Sequence, residues 1–123
     1  MLSAENYNRV EDNELIQRYK ESGDLIILGE LFNRYMSLVY GVCLKYLKDR
    51  EESRDAVMQI FEKLVTSLRE HQIAHFKSWL YITARNHCLM DLRARKRKGF
   101  EEISAHLMES NALSHLEEEP EME

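Results

Sequence analysis

The chain has 123 residues, 44% of them apolar, and a formal net charge of -5. That length suits one domain with a single core and argues against a second full domain. The opening MLSAENYNRVEDNE lacks a basic stretch followed by an apolar run, and no later segment approaches the roughly 20 apolar residues of a membrane span, so a cytoplasmic protein without a membrane span is expected.

Only one proline occurs, at Pro120, and apolar residues recur three and four apart throughout. The expected fold is therefore all-α, a compact bundle of about four helices followed by an acidic, flexible C-terminal tail. A first short helix is predicted over Asn13 to Glu21, with Leu15, Ile16 and Tyr19 inward and an end at Ser22-Gly23. Asp24 caps the next helix, predicted as one rod from about Leu25 to Leu47 with Leu28, Leu31, Phe32, Tyr35, Leu38, Val39, Val42, Leu44 and Tyr46 available to the core. Gly29 and Gly41 fall inside it, which suits either close approach of another helix or neutral drift at a tolerant site.

Asp49-Arg-Glu-Glu52 has the form of a capping box and opens a third helix to about Arg69. Its inner stripe is Val57, Phe61, Leu64, Val65 and Leu68, while Asp55, Gln59, Glu62 and Thr66 share the outer face. The segment Glu70 to His75 breaks the pattern, and a fourth helix follows, predicted to stop at Gly99. Beyond it, one weak helical turn or two around Ile103 and Leu107 are expected within an acidic linker. The domain is thus assigned to residues 1–98 and the linker, disordered or partly helical, to residues 99–123.

Charge is distributed unevenly. Residues 1–76 carry 10 Lys/Arg against 13 Asp/Glu, residues 77–98 carry 7 against 1, and residues 99–123 carry 0 against 8. One basic patch is therefore hidden in an acidic chain. It lies on the fourth helix, FKSWLYITARNHCLMDLRARKR. Trp79 and Tyr81 offer rings for stacking on unpaired bases, Asn86 can read a base edge, and Arg93, Arg95, Lys96, Arg97 and Lys98 can neutralise phosphates. For Trp79 the neighbours Phe76, Leu80 and Thr83 favour a core anchor over a stacking platform. Asn86 is harder to explain by packing, because asparagine is a poor residue in mid-helix and stands among Ile82, Leu89 and Met90. Steps of four, three, four and four put Ile82, Asn86, Leu89, Arg93 and Arg97 within one face.

Other chemistries find little support. Cys43 and Cys88 sit in apolar helical patterns and read as buried, reduced thiols. His71, His75, His87 and Cys88 lack both an HExxH glutamate and a CxxC pair, so no metal is expected. There is no glycine-rich phosphate loop and no nucleophile elbow. Neither an enzyme nor a cofactor is indicated.

The succession LFNRYMSLVYGVCLKYLKDREESRDAVMQIFEKL, a short loop, then SWLYITARNHCLMDLRARKR resembles region two of the sigma-70 family, specifically the small extracytoplasmic-function (ECF) group of bacterial sigma factors. The resemblance covers about Glu14 to Lys98. It rests on Leu31 and Tyr35, Asp49-Arg-Glu-Glu52, Asp55 with Phe61, Trp79-Leu80, and Asn86 with Arg93. The family usually has glutamine where Met58 stands, and Gln59 follows here. It also often has an acid four residues after the asparagine, whereas Asp91 comes five after.

What the resemblance implies is a transcription initiation factor that binds core RNA polymerase and recognises the melted minus-ten promoter element on the non-template strand. The helix matching Asp55 to Leu68 is expected to dock on the clamp coiled coil of the largest polymerase subunit through Asp55, Phe61, Gln59, Glu62 and Met58. The loop Glu70 to Lys77 is expected to capture an unstacked base. DNA contacts then fall to His75, Phe76 and Lys77 from the loop and to Arg85, Asn86, Arg93, Lys96 and Arg97 from the helix behind it. An anti-sigma factor is a further expected partner. The family's second helical domain, region four, has no counterpart in these residues, which points to a fragment of a longer protein. From the residues alone, a helical protein-protein adaptor and a small RNA-binding helical module remain as alternatives.

Overall fold

The structure, a computed structural model, describes residues 9–109. These form five helices and, among the described residues, no strand: α1 Asp12–Ser22, α2 Leu25–Asn33, α3 Met36–Leu47, α4 Arg50–Glu70 and α5 Phe76–Glu109. The expected flexible tail lies, from residue 110 onward, outside the described residues. No single described helix is long and apolar enough to cross a membrane. The chain divides into two units, Met1–Leu89 and Met90–Glu123.

In the first unit the predicted stripes become the core. Leu15, Ile16 and Tyr19 of α1 are buried, as are Leu28, Leu31 and Phe32 of α2, Val39 and Val42 of α3, and Val57, Leu64 and Leu68 of α4. Leu80, Ala84 and Cys88 complete it from α5. Small or unexpected residues join them: Ile27, Cys43, Ser53, Ala56 and Ile60 are buried too. Tyr35, Leu38, Leu44, Tyr46, Phe61 and Val65 are only half-buried. Tyr19 ties α1 to α4, its hydroxyl donating to the Val65 carbonyl at 2.6 Å, so a buried phenol keeps its hydrogen bond.

The helix starts and stops follow local chemistry. Gly23 takes a left-handed conformation (φ 71) and its N–H bonds the Tyr19 carbonyl, closing α1 as only glycine does without strain. The Asp24 carboxylate accepts from the Ile26 N–H at 2.9 Å, and that of Asp49 from the Glu52 N–H at 2.8 Å, each satisfying an orphan donor at a helix start.

Three expectations are corrected. The single rod over Leu25 to Leu47 is two helices, bent by 65° between Arg34 and Met36. Tyr35 leaves the helical conformation (φ -118, ψ 16) and is drawn aside by tertiary partners described below, while the bend keeps both halves' apolar stripes on one core. Close approach at Gly29 and Gly41 is overturned, because a Cβ at either would meet no heavy atom within 4 Å. Gly99 does not end α5, which runs on to Glu109. Gly23 is the only described glycine with a positive φ, so Gly99 stays right-handed and the helix formers Glu101, Glu102, Ala105 and Leu107 continue the ladder.

Candidate nucleic-acid interface and docking face

On α4 the outer face is built as expected. Asp55, Gln59, Glu62 and Thr66 are all exposed, and Met58 is 60% exposed. Helical spacing separates these residues from the buried Ala56, Ile60 and Leu64, so one stripe anchors the helix while the other is presented. Phe61 lies at the border, half-buried, with its ring edge-on to Phe32 at 5.2 Å between centroids. Beside this face runs an apolar groove of about 700 Å³, lined among others by Phe32, Met36, Tyr40, Val57, Met58 and Phe61.

Gln59 is oriented from across the bundle. Lys63 Nζ lies 2.9 Å from His87 Nδ1, and His87 Nε2 lies 2.9 Å from Gln59 Oε1. A lysine ammonium only donates, so Nδ1 accepts and Nε2–H donates to the amide oxygen. This neutral-histidine relay joins the outer face of α4 to α5. Nothing in the spacing of Gln59, Lys63 and His87 announces it, since the pairing depends on how two helices pack.

The loop between α4 and α5 is short, residues 71–75, and fastened at both ends. At its start His71 donates Nδ1–H to the Ser67 carbonyl at 2.7 Å, and Lys20 Nζ donates to the His71 carbonyl at 2.6 Å. Its far end enters α5 through the His75 carbonyl, which accepts from the Trp79 N–H at 3.0 Å. There Phe76 is only 2% exposed, its ring packed on Tyr35 at 5.7 Å and on Trp79 at 6.1 Å. Phe76 therefore fixes the loop from inside and presents no open ring face. Trp79 is half-buried and also meets the His71 ring at 6.0 Å.

Behind the loop sits a constellation that periodicity alone does not reveal. Asp12, at the first position of α1, receives Arg34 Nη1 on one carboxylate oxygen at 3.0 Å and the Tyr35 hydroxyl on the other at 2.5 Å. The hydrogen bond to Asp12, with burial second, raises the Tyr35 pKa above its ordinary value. Asp12 thereby clamps the α2–α3 bend, and Tyr35 in turn braces Phe76. These segments line an open polar depression of about 510 Å³ formed by residues 11–13, Arg34 and residues 74–78. The sequence signal was the acid at the start of α1, but it served equally as an ordinary first-turn carboxylate.

Along α5 within the first unit, Asn86 is exposed and makes no side-chain hydrogen bond among the described residues. Ile82, one turn earlier, is 47% exposed. Arg85 is half-buried, with its Nε enclosed and lacking a partner among the described residues. His75 and Lys77 are exposed. In the second unit, taken by itself, Arg93, Lys96, Arg97 and Lys98 are exposed, while Arg95 pairs with Asp91 at 3.0 Å. Among the described residues no three His, Cys, Asp or Glu come together to hold a metal. Cys43 and Cys88 are buried and neither is part of a disulfide. Burial, with the neighbouring Cys88 second, pushes the Cys43 thiol up to about 12.

Comparison with known proteins gives one positive result: residues 31–98 match the model of the family described as Sigma-70 region 2. No curated protein and no solved structure matches the chain.

Proposed function

The chain belongs to the sigma-70 family through its region 2, and from that premise we propose that it docks on core RNA polymerase by the outer face of α4 and holds a melted promoter strand along its last loop and α5. Membership makes it a transcription-initiation domain that works with RNA polymerase at promoters, and not a catalyst. The finer assignment is to the ECF group, with the clamp coiled coil of the largest polymerase subunit as docking partner and the minus-ten element of the non-template strand as ligand.

Asp55, Met58, Gln59 and Glu62 supply the exposed docking stripe. Phe61 and Met58 extend it into the adjoining apolar groove, giving an anchor for an apolar side chain beside charged and amide contacts. An anti-sigma factor acts, in this reading, by occupying the same face. His75 meets the strand at the end of the loop and Lys77 in the first turn of α5, with Phe76 between them as the positioning residue. Arg85 and Asn86 follow on α5, and Arg93, Lys96 and Arg97 serve phosphates.

The observation that carries this reading is Asn86, a planar amide in mid-helix that faces solvent with no internal hydrogen bond among the described residues. An unstacked base offers such an amide a donor and acceptor edge that duplex conceals. Unpaired strand is therefore the expected ligand, with little duplex binding by the domain alone.

The test mixes the chain with core RNA polymerase and a minus-ten non-template oligonucleotide. Asn86→Ala should weaken strand capture by about 10-fold or more at one base, from the roughly 1–3 kcal/mol of a good base contact, and leave polymerase affinity intact. Asp55→Ala should do the reverse. If neither substitution acts selectively, the adaptor reading, in which the basic helix binds an acidic protein, replaces this one.

A further inference from the structure

The docking stripe of α4 contains one side chain whose orientation is set from another helix. Gln59 Oε1 accepts from His87 Nε2–H at 2.9 Å, and His87 Nδ1 accepts from Lys63 Nζ at 2.9 Å. Each link fixes the next. An ammonium has no lone pair to offer, so Lys63 admits only the tautomer with a bare Nδ1. That tautomer carries its proton on Nε2, and an N–H there bonds the amide oxygen of Gln59 and not its nitrogen. His87 is half-buried while Gln59 and Lys63 are exposed, so the ring is held by the packing of α5 and the glutamine adjusts to it.

We infer that His87, with Lys63 behind it, is a positioning residue for polymerase docking: it makes Gln59 a hydrogen-bond donor toward the polymerase, whose facing group is an acceptor, a backbone carbonyl or a carboxylate. The inference rests on the α4 docking reading and deepens it by naming the chemistry required opposite one residue of the stripe.

What remains on the amide decides the polarity. With Oε1 engaged by His87, the two N–H groups of Gln59 make no hydrogen bond among the described residues, and the side chain is exposed. Its charged companions on the stripe, Asp55 and Glu62, are carboxylates and accept only. Gln59 is thus the donor in a row of acceptors, and a partner that offers cations to Asp55 and Glu62 must present an acceptor between them.

Positioning matters here because glutamine is ambivalent. An unheld amide turns to offer either its oxygen or its nitrogen, and ordering such a side chain on binding weakens affinity by about 2- to 10-fold. His87 sets the polarity and orders the amide in the free protein. Without Lys63 the ring regains its other tautomer, whose bare Nε2 accepts from the amide nitrogen and turns the oxygen outward.

Affinity of the full chain for core RNA polymerase is measured without DNA, because His87 adjoins Asn86 on α5. Gln59→Ala should weaken it by about 3- to 10-fold, the loss of one hydrogen bond. Gln59→Glu, which keeps the shape but only accepts, should weaken it by about 10-fold more, at low and high salt alike, because two acceptors then face each other. His87→Ala should cost about 2- to 10-fold in the unaltered background and nothing in the Gln59→Ala background. His87→Gln, whose amide nitrogen can stand near the place of Nε2, should restore most of that loss. Urea unfolding of each variant supplies the folded fraction by which its affinity is corrected. Nitrogen NMR near neutral pH should show His87 protonated at Nε2 and bare at Nδ1, and Lys63→Ala should mix the two tautomers. A His87→Ala loss that persists in the Gln59→Ala background, Gln59→Glu binding at least as tightly as Gln59→Ala, or a ring protonated at Nδ1 alone overturns this inference. Each leaves the docking reading standing while Asp55→Ala still weakens binding. If neither Asp55→Ala nor Gln59→Ala weakens it, both fail together.

Discussion

The outer face of α4 and the polar depression behind the loop are both surfaces offered to partners, yet they are assembled in opposite ways. The exposed polar stripe of the docking face comes from one helix, anchored by its own buried stripe of Ala56, Ile60, Leu64 and Leu68, with Gln59 further oriented by His87 of α5. The polar site is composite: the start of α1, the α2–α3 bend and the segment around the start of α5 each contribute a wall, held in register by the Asp12, Arg34, Tyr35 and Phe76 contacts together with the ties of the loop to Lys20 and Ser67. A face carried by one helix keeps its geometry while that helix is folded. A composite site loses its geometry when any one tie is cut, so strand capture should prove more fragile than polymerase docking.

The largest test of this difference is Phe76→Ala. Removing a ring that is 2% exposed leaves a core cavity and should lower stability by about 3–5 kcal/mol, read by urea unfolding. Strand capture should vanish, while the fraction still folded should bind polymerase with unchanged affinity. Equal loss of both would erase the distinction. A finer probe is Tyr35→Phe, which keeps the ring on Phe76 and removes only the hydroxyl bond to Asp12, for a loss of about 1 kcal/mol. Because that bond raises the Tyr35 pKa in the folded state, the folded chain holds the proton more tightly than the unfolded one. The stabilisation is fully present below the ordinary tyrosine value of 10.0 and is lost as pH rises through the raised value. Unaltered protein should therefore lose stability more steeply above pH 10 than the variant does, in paired denaturation curves. The smallest expected effect belongs to Lys96→Ala: weaker binding to all strands alike and a salt slope reduced by about 0.7, the value for one single-strand phosphate contact, with an unchanged thermal melt.

The same contrast explains what could be read without coordinates. Periodicity and caps are local, so the inner stripe of α1, its end at Gly23, the caps at Asp24 and Asp49 and the polar stripe of α4 were all legible from spacing. The bend at Tyr35 was not, because Leu31, Phe32, Tyr35, Leu38 and Val39 read as one continuous helical face and the force that breaks it comes from Asp12, 23 residues away. Gly99 misled in the other direction: a glycine after a basic run looks like a stop, and it becomes one only when the backbone turns left-handed. For the site, the exposed Asn86 was legible because asparagine has little reason to sit in mid-helix otherwise. Phe76 appeared among candidate contacts through its place in the loop, and only packing showed that its ring faces inward.

The two sulfurs of this domain have a practical bearing on all of these measurements. Cys43 and Cys88 are sealed from solvent, and with its thiol at about 12 Cys43 holds almost no nucleophilic thiolate near neutrality. A maleimide dye should pass them by in the native protein and attach only to a cysteine engineered on the outside, such as one replacing Thr66 beside the α4 stripe or Ser78 at the rim of the depression. Arrival of the polymerase and entry of the strand could then be timed as two separate fluorescence signals, with both native cysteines left in place.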